Sequence, residues 1–521
     1  MKSYRIPLFL SFSALVVRLF YYFLYAKNEV VTNDASTYIK LARHLSDGDF
    51  SAGFDTFWTP FYPLLVAFVG LFTNSLLLPT VIVSILTGSL AVTATYYLVK
   101  QSYGMREAVI AAVIAIFYPH LLTATFGFGT ENVYLVLLSL ALIVGWNGLA
   151  KNPTTNFFVV GLLLGCAYLT RPEAFGYLLF FAPIIFLKNF KEQKTFSRNT
   201  IKSIAVLVLG FALLAAPYIY YIRSATGSWS ISPKFKAHIG GTMFSETQFD
   251  KTFKPVPKTQ VPSQTTGETG KVLIKAFFFN LQLAHRQFPY LFPPLLLIFV
   301  GLGLFCKRWN ANRFRREIYL LFFCALTTLC YLLTIVDVRY FYVLLPILFG
   351  WMACGIVEMD DWLRESLQNS FFGKLFKANL YVVPALTIIL INIYILPINS
   401  FMRSSDGAWQ FSQYEQRTAG LWLKENVKPA PTVMSDDFRP AFYAEGKYVP
   451  LYANTINDVL AEAAAKQVEF LVVAERNIKR TPQLSYLLDD PQNYPQLELI
   501  YQATEYKGYK IVIYRVNNSS Q

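Results

Sequence analysis

The sequence predicts a polytopic α-helical membrane protein with about 11 transmembrane helices and further interfacial helices, followed by a small C-terminal α/β extracytoplasmic domain. Three observations carry this. Only 15% of residues are charged and 54% are hydrophobic, where soluble domains are about a quarter charged. Apolar runs long enough to span a bilayer recur from Ile6 to about residue 400. Beyond that point the chain turns polar, and helix-like and strand-like patterns alternate.

The first span is Ile6 to Ala26, preceded by Lys2 and Arg5, so the N-terminus is expected in the cytoplasm. Its downstream flank, Ala26-Lys27-Asn28, lacks secretory-cleavage character and reads as a retained anchor. After Asp34, the spacing of Tyr38, Leu41, Ala42 and Leu45 predicts a helix lying in the interface. The aromatic-proline run Phe57 to Pro63 suits the headgroup zone, and Leu64 to Phe72 is too short to span.

Spans follow at Pro79–Val99, Ala108–Tyr118 extended toward Leu122, Glu131–Leu149, Phe157–Thr170, Ala174–Leu187 and Ile204–Ile222. The last four are Phe288–Cys306, Ile318–Val336, Tyr340–Val357 and Leu380–Pro397. Lys and Arg crowd alternate short loops, including Lys100/Arg106, Lys188 to Lys202, and Lys307 to Arg316, which marks those loops as cytoplasmic. The opposite loops hold Asp34, Glu131, Arg171-Pro172-Glu173 and Asp337-Val338-Arg339. An odd number of spans puts the C-terminal domain outside. Residues 1–400 thus read as a membrane domain with extracytoplasmic loops at 27–78, 119–131 and 223–287, and residues 401–521 as the soluble domain. Lys251 to Gly270 has the composition of a mobile loop. In the tail, helices are expected at Phe411–Glu425 and Asn457–Lys466, and strands at Pro431–Met434, Val468–Val473, Glu498–Ala503 and Tyr509–Tyr514.

The net charge of +14 raises nucleic-acid binding, but the cations sit in topology-setting loops, so no nucleic-acid partner is expected. The five cysteines lie in or beside apolar runs without metal-ligand spacing and read as buried thiols. His44, His120, His238 and His285 are scattered. No glycine-rich phosphate loop, P-loop or GxSxG occurs.

What remains is a set of charges on one membrane face: Asp34, Glu131, Arg171 with Glu173, and Arg339 with Asp337. Each has a structural reading. Asp34 can cap the interfacial helix, Glu131 can favour a helix dipole, and arginines at span ends can anchor helices in the headgroups. Arg18, inside the first span, is either internally paired or a charge near a reaction centre. Together, carboxylates and arginines on one side of a bilayer suit a reaction between a hydroxyl and a lipid phosphate. A carboxylate can take the proton, and arginine's planar fork matches phosphate.

Here the sequence resembles the GT-C superfamily of integral membrane glycosyltransferases, and within it the protein O-mannosyltransferase and aminoarabinose transferase branch (glycosyltransferase family 39 and relatives). The resemblance rests on Arg18, Asn33-Asp34, Tyr38, Ala42, Trp58-Thr59-Pro60-Phe61-Tyr62-Pro63, Thr130-Glu131, Thr170-Arg171-Pro172-Glu173, Arg339-Tyr340 and Pro346, in that order. It covers roughly the first 400 residues. It implies a polyprenyl-phosphate sugar donor, extracytoplasmic chemistry and inversion at the anomeric carbon. By resemblance, Asp34 and Glu131 are the catalytic acids, and Arg339, Tyr340 and Arg286 bind the donor phosphate. Tyr38, Trp58, Arg171, Glu173 and Arg18 shape the substrate site. No cofactor is required, and a divalent cation stays unassigned. The acceptor is a lipid, a glycan or a protein hydroxyl. The sequence lacks the paired-tryptophan acidic motif of oligosaccharyltransferases. A flippase of lipid-linked sugars, or an assembly protein whose tail binds a partner, are the competing readings. The first predicts charges deep within several spans; only Arg18 is found there. The second predicts that Asp34 is dispensable.

Overall fold

The computed structural model describes residues 4–26, 30–151, 153–193, 198–234, 266–306, 309–366, 413–427, 430–451, 455–480, 482–489, 496–505 and 509–517, with 384, 387, 388 and 391. The chain forms two compact units. One comprises residues 1–26 and 37–399, the other residues 27–36 and 400–521.

The first unit is helical, and the protein is a multi-pass membrane protein. Seven of its described helices are long and apolar enough to cross a bilayer, and nine spans result if two bent helix pairs each count as one. The bent pairs are Met105–Phe117 with Pro119–Phe126, and Ala276–Leu291 with Pro294–Phe305. Proline explains both breaks: it lacks an N–H and clashes with the preceding turn. Of the other two expected spans, Ala174–Leu187 corresponds to the 16-residue helix Leu178–Gln193, and Leu380–Pro397 lies almost wholly outside the described residues. Residues 251–265 also lie outside them, while 266–270 open the helix Thr266–Leu291.

Close helix packing rests on glycine. A methyl group on Gly303 would overlap the Trp351 carbonyl oxygen, and one on Gly355 would overlap that of Phe299. The Leu297–Phe305 and Leu345–Ser366 helices therefore meet backbone to backbone. Gly161 and Gly210 do the same for Pro153–Thr170 and Arg198–Thr226. Without a hydrophobic drive between helices in lipid, such contact is what dispersion has to work with.

The expected interfacial helix is Asn33–Ser46. Its apolar stripe of Tyr38, Leu41, Ala42 and Leu45 is buried, and Tyr38, Ala42 and Leu45 pack with Tyr62, Val66 and Val83. Leu64–Phe72 is met by the ten-residue helix Phe61–Gly70, about half the length a bilayer requires.

The second unit holds a five-stranded sheet in the order β2-β1-β3-β5-β4. The strands are β1 Thr432–Ser435, β2 Lys447–Pro450, β3 Phe470–Ala474, β4 Leu497–Glu505 and β5 Tyr509–Val516. β1 runs parallel to β2 and β3, whereas β3/β5 and β4/β5 are antiparallel. Continuous apolar runs, FLVVA in β3 and IVIY in β5, explain why both faces are buried. Val433, Phe470, Val472, Ile511 and Ile513 share one side with helix Tyr414–Asn426. Met434, Leu471, Val473, Val512 and Tyr514 share the other with helix Ile456–Ala465.

Backbone contact at Gly303 makes a clear prediction. Gly303→Ala should destabilise the protein by about 1–3 kcal/mol through overpacking. Gly301→Ala, whose added methyl meets nothing within 4 Å, should be near neutral. Thermal unfolding of the two variants in detergent checks the difference.

Candidate functional site

Three helix ends of the first unit bring five charged side chains into one chain of ion pairs. Glu131 opens the helix Glu131–Ala150. Arg171 and Glu173 follow the last residue of Pro153–Thr170, where Pro172 forbids the helix from continuing. Asp337 and Arg339 stand at the entry to Leu345–Ser366; Asp337 Oδ1 accepts the Arg339 backbone N–H at 2.9 Å and caps the short 3-10 turn Val338–Leu344.

One oxygen, Glu131 Oε1, faces both cations: Arg171 Nη1 at 3.9 Å and Arg339 Nη1 at 3.7 Å. The outer carboxylates complete the row, Glu173 on Arg171 at 3.5 Å and Asp337 on Arg339 at 3.2 Å. The order is Glu173, Arg171, Glu131, Arg339, Asp337, with signs alternating. Alternation compensates charges that could not be buried singly.

The two arginines are not equivalent. Arg171 is 7% exposed, and its guanidinium lies 4.3 Å from the Tyr340 ring centroid and 5.5 Å from that of Tyr134. Tyr331 stacks on Tyr340 at 5.2 Å. Boxed in by two rings and two carboxylates, Arg171 is built to hold Glu131. Arg339 keeps 38% of its side chain exposed, so it can offer donors to an arriving anion. Tyr340, expected at the donor phosphate, supplies the platform under Arg171.

Glu131 is itself 8% exposed. A methyl group on Gly129 would occupy the position of its Oε2. The flexible end of the glutamate would yield before the backbone, so Gly129 reserves space for the carboxylate.

The aromatic-proline run packs against this end of the bundle. Thr59 donates to the Thr170 carbonyl at 2.7 Å, next to Arg171. Tyr218 donates to the Asp55 carbonyl and Tyr221 to that of Phe54. Trp58 and Tyr62 pack edge-on against Tyr38 at 5.1 and 5.4 Å. Lys234 lies over the Trp58 ring at 4.8 Å. Sequence reasoning passed over this cation; the only signal was its place in a loop expected outside.

Arg18 is fully buried. Its Nη1 donates to Ala14 O, one turn earlier, at 3.3 Å, while Nε and Nη2 have no hydrogen-bond partner among the described residues. Gly88 makes room for it beside Thr125 and Asn132, the residue after Glu131. Arg286 is exposed on the helix Thr266–Leu291 and makes no contact with the Glu131 row among the described residues.

Asp34 belongs to the second unit, in the first turn of Asn33–Ser46. The capping bond there is made by Thr32, whose Oγ1 accepts from the Ala35 amide at 3.2 Å.

The described residues contain no group of three or more His, Cys, Asp or Glu that could hold a metal ion. A cavity of about 370 Å3 lies at the other end of the bundle, among Lys100, Tyr103, Glu107, Arg313, Arg316 and Glu358.

The family model for dolichyl-phosphate-mannose-protein mannosyltransferases matches residues 58–221, which include Trp58 to Pro63, Glu131 and Arg171. Among solved structures, ArnT from Cupriavidus metallidurans in the apo state is 13% identical, with a TM-score of 0.55 over 96% of this chain and 97% of that one. The same protein bound to undecaprenyl phosphate gives 0.53 over the same shares. The chain has the GT-C fold. The archaeal oligosaccharyltransferase AglB from Archaeoglobus fulgidus, in complex with an inhibitory peptide and a dolichol-phosphate, matches at 15% identity and a TM-score of 0.53, over 89% of this chain and 69% of that one. No curated protein matches the sequence. At these identities the structural matches speak to the GT-C fold, and the charged row has to argue for function on its own geometry.

If Gly129 reserves space for the Glu131 carboxylate, Gly129→Ala should shift that carboxylate off both arginines. Any activity depending on the row should fall by about 10- to 100-fold, as for misplacement on the order of 1 Å, while the unfolding temperature stays within about 2 °C. Equal activity in Gly129→Ala and wild type would contradict the assignment.

Proposed function

We propose that this protein transfers a sugar from a polyprenyl-phosphate-linked donor to an extracytoplasmic acceptor: a lipid, a glycan or a protein hydroxyl. The observation that carries this reading is the half-exposed Arg339, held by Glu131 and Asp337 at a helix end. A fixed, accessible guanidinium at the bilayer boundary suits a lipid phosphate, which must keep its charge near water while its tail stays in hydrocarbon. Support also comes from the mannosyltransferase family model and from neighbours solved with undecaprenyl phosphate or dolichol-phosphate.

The reaction is a single inverting displacement. The acceptor oxygen attacks the anomeric carbon and forms the new glycosidic bond. The bond from that carbon to the phosphate oxygen breaks, and polyprenyl phosphate leaves with the electron pair. Asp34 takes or orients the acceptor proton. Arg339 stabilises the charge that grows on the leaving phosphate, the larger contribution in a water-poor site. Glu131 fixes Arg339, and Arg171 fixes Glu131. Tyr38, Trp58 and Glu173 shape the substrate surface. No cofactor is assigned a step. The loops carrying these groups face away from the cytoplasm, as does the C-terminal unit, and the N-terminus is cytoplasmic.

The test uses purified protein in lipid with polyprenyl-phosphate sugars and a panel of acceptors, following release of polyprenyl phosphate. Wild type should release it. Asp34→Asn should lose about 10^2- to 10^4-fold in kcat. Arg339→Ala should lose about 10^2- to 10^3-fold, as when one transition-state donor is removed. Full activity in Asp34→Asn would sink its catalytic role, and no release with any donor would sink the reading as a whole.

A further inference from the structure

Residues 27–36, at the end of the first span, cluster with the C-terminal unit. The contact is specific and centres on Val31, which is fully buried. Its amide donates to the Tyr443 hydroxyl at 2.9 Å, and its carbonyl accepts from Arg439 Nε at 2.9 Å. Both side chains come from one short helix, Arg439–Tyr443. Four residues apart, they present on one helical face.

The grip is itself held. Arg439 is 4% exposed and its Nη1 donates to Asp437 Oδ2 at 2.6 Å and to Gln413 Oε1. Asp437 Oδ1 accepts the Arg439 backbone N–H at 2.9 Å. Nearby, buried Glu415 pairs with Arg476 at 2.8 Å, just past the end of β3. Asp437, Arg439 and Tyr443 follow the C-terminal end of β1, and Arg476 follows that of β3. There the chain order turns, because β2 lies on one side of β1 and β3 on the other. Open α/β sheets receive ligands at such a switch point. In this protein the groups there hold the chain's own Val31.

Val31 is three residues from Asp34. Thr32, between them, caps the helix, so the link from the gripped peptide to the carboxylate is short and hydrogen-bonded. We propose that Arg439 and Tyr443 are positioning residues for Asp34: the C-terminal unit clamps the backbone at Val31 and thereby fixes where that carboxylate is held. The catalytic half of this inference rests on the function proposed above.

Full-length protein in lipid tests it with two separate readouts. The first is a spin label at position 33, introduced as Asn33→Cys after replacing the five native cysteines with serine. The second is kcat and donor KM. Tyr443→Phe, which removes one hydroxyl, and Arg439→Lys, which keeps the charge but not the fork, are the variants. Each should loosen the label and lower kcat about 10- to 100-fold with donor KM unchanged. Neither should lower the residual rate of Asp34→Asn any further, because a positioning residue acts through the group it positions. An equally immobile label and unchanged kcat in both variants, with Asp34→Asn inactive, would overturn the clamp and leave the proposed function standing. A loosened label with Asp34→Asn fully active would support the grip and remove its catalytic consequence.

Discussion

Everything at the candidate site depends on one constraint: charges drawn into the edge of a bilayer must neutralise each other. The alternating row from Glu173 to Asp337 meets it with three carboxylates and two guanidiniums. Each arginine faces two carboxylates, so displacing Glu131 still leaves Arg171 on Glu173 and Arg339 on Asp337. The row therefore couples three helix ends far apart in sequence. It also sorts its members: Arg171 is enclosed between rings and carboxylates, whereas Arg339 keeps 38% of its side chain exposed.

The helical scaffold serves the same end. Glycine contacts between Leu297–Phe305 and Leu345–Ser366 bring one of those helix ends to a defined depth without large side chains in the seam. The loop of Phe54 to Thr59 is bonded to two other helices, by Thr59 to the Thr170 carbonyl and by Tyr218 and Tyr221 to the carbonyls of Asp55 and Phe54. Such ties leave the charged row little room to drift, which is what electrostatic catalysis requires of its fixed groups.

Much of this was legible in the sequence, and the limits are physical. Arg171-Pro172-Glu173 and Asp337-Val338-Arg339 announce themselves because charge and proline stop apolar helices. The sheet strands β1, β3, β4 and β5 were readable as apolar runs between turns. β2 was not, since KYVP is four residues long and ends in proline. The part played by Tyr340 was hidden as well: a ring stacked under a guanidinium leaves no spacing pattern in the chain. Nor did anything around Val31 reveal its partners, which lie 408 and 412 residues away. Periodicity reports an element's own faces, not what a distant segment brings to it.

The decisive question is where a lipid phosphate binds. An experimental structure with polyprenyl phosphate in a lipid nanodisc is the direct measurement. The expected result is phosphate oxygens within hydrogen-bonding distance of the Arg339 guanidinium, with Arg171 still stacked on Tyr340. Phosphate bound elsewhere, for instance among Lys100, Arg313 and Arg316, with Arg339 still closed on Asp337 and Glu131, would contradict it.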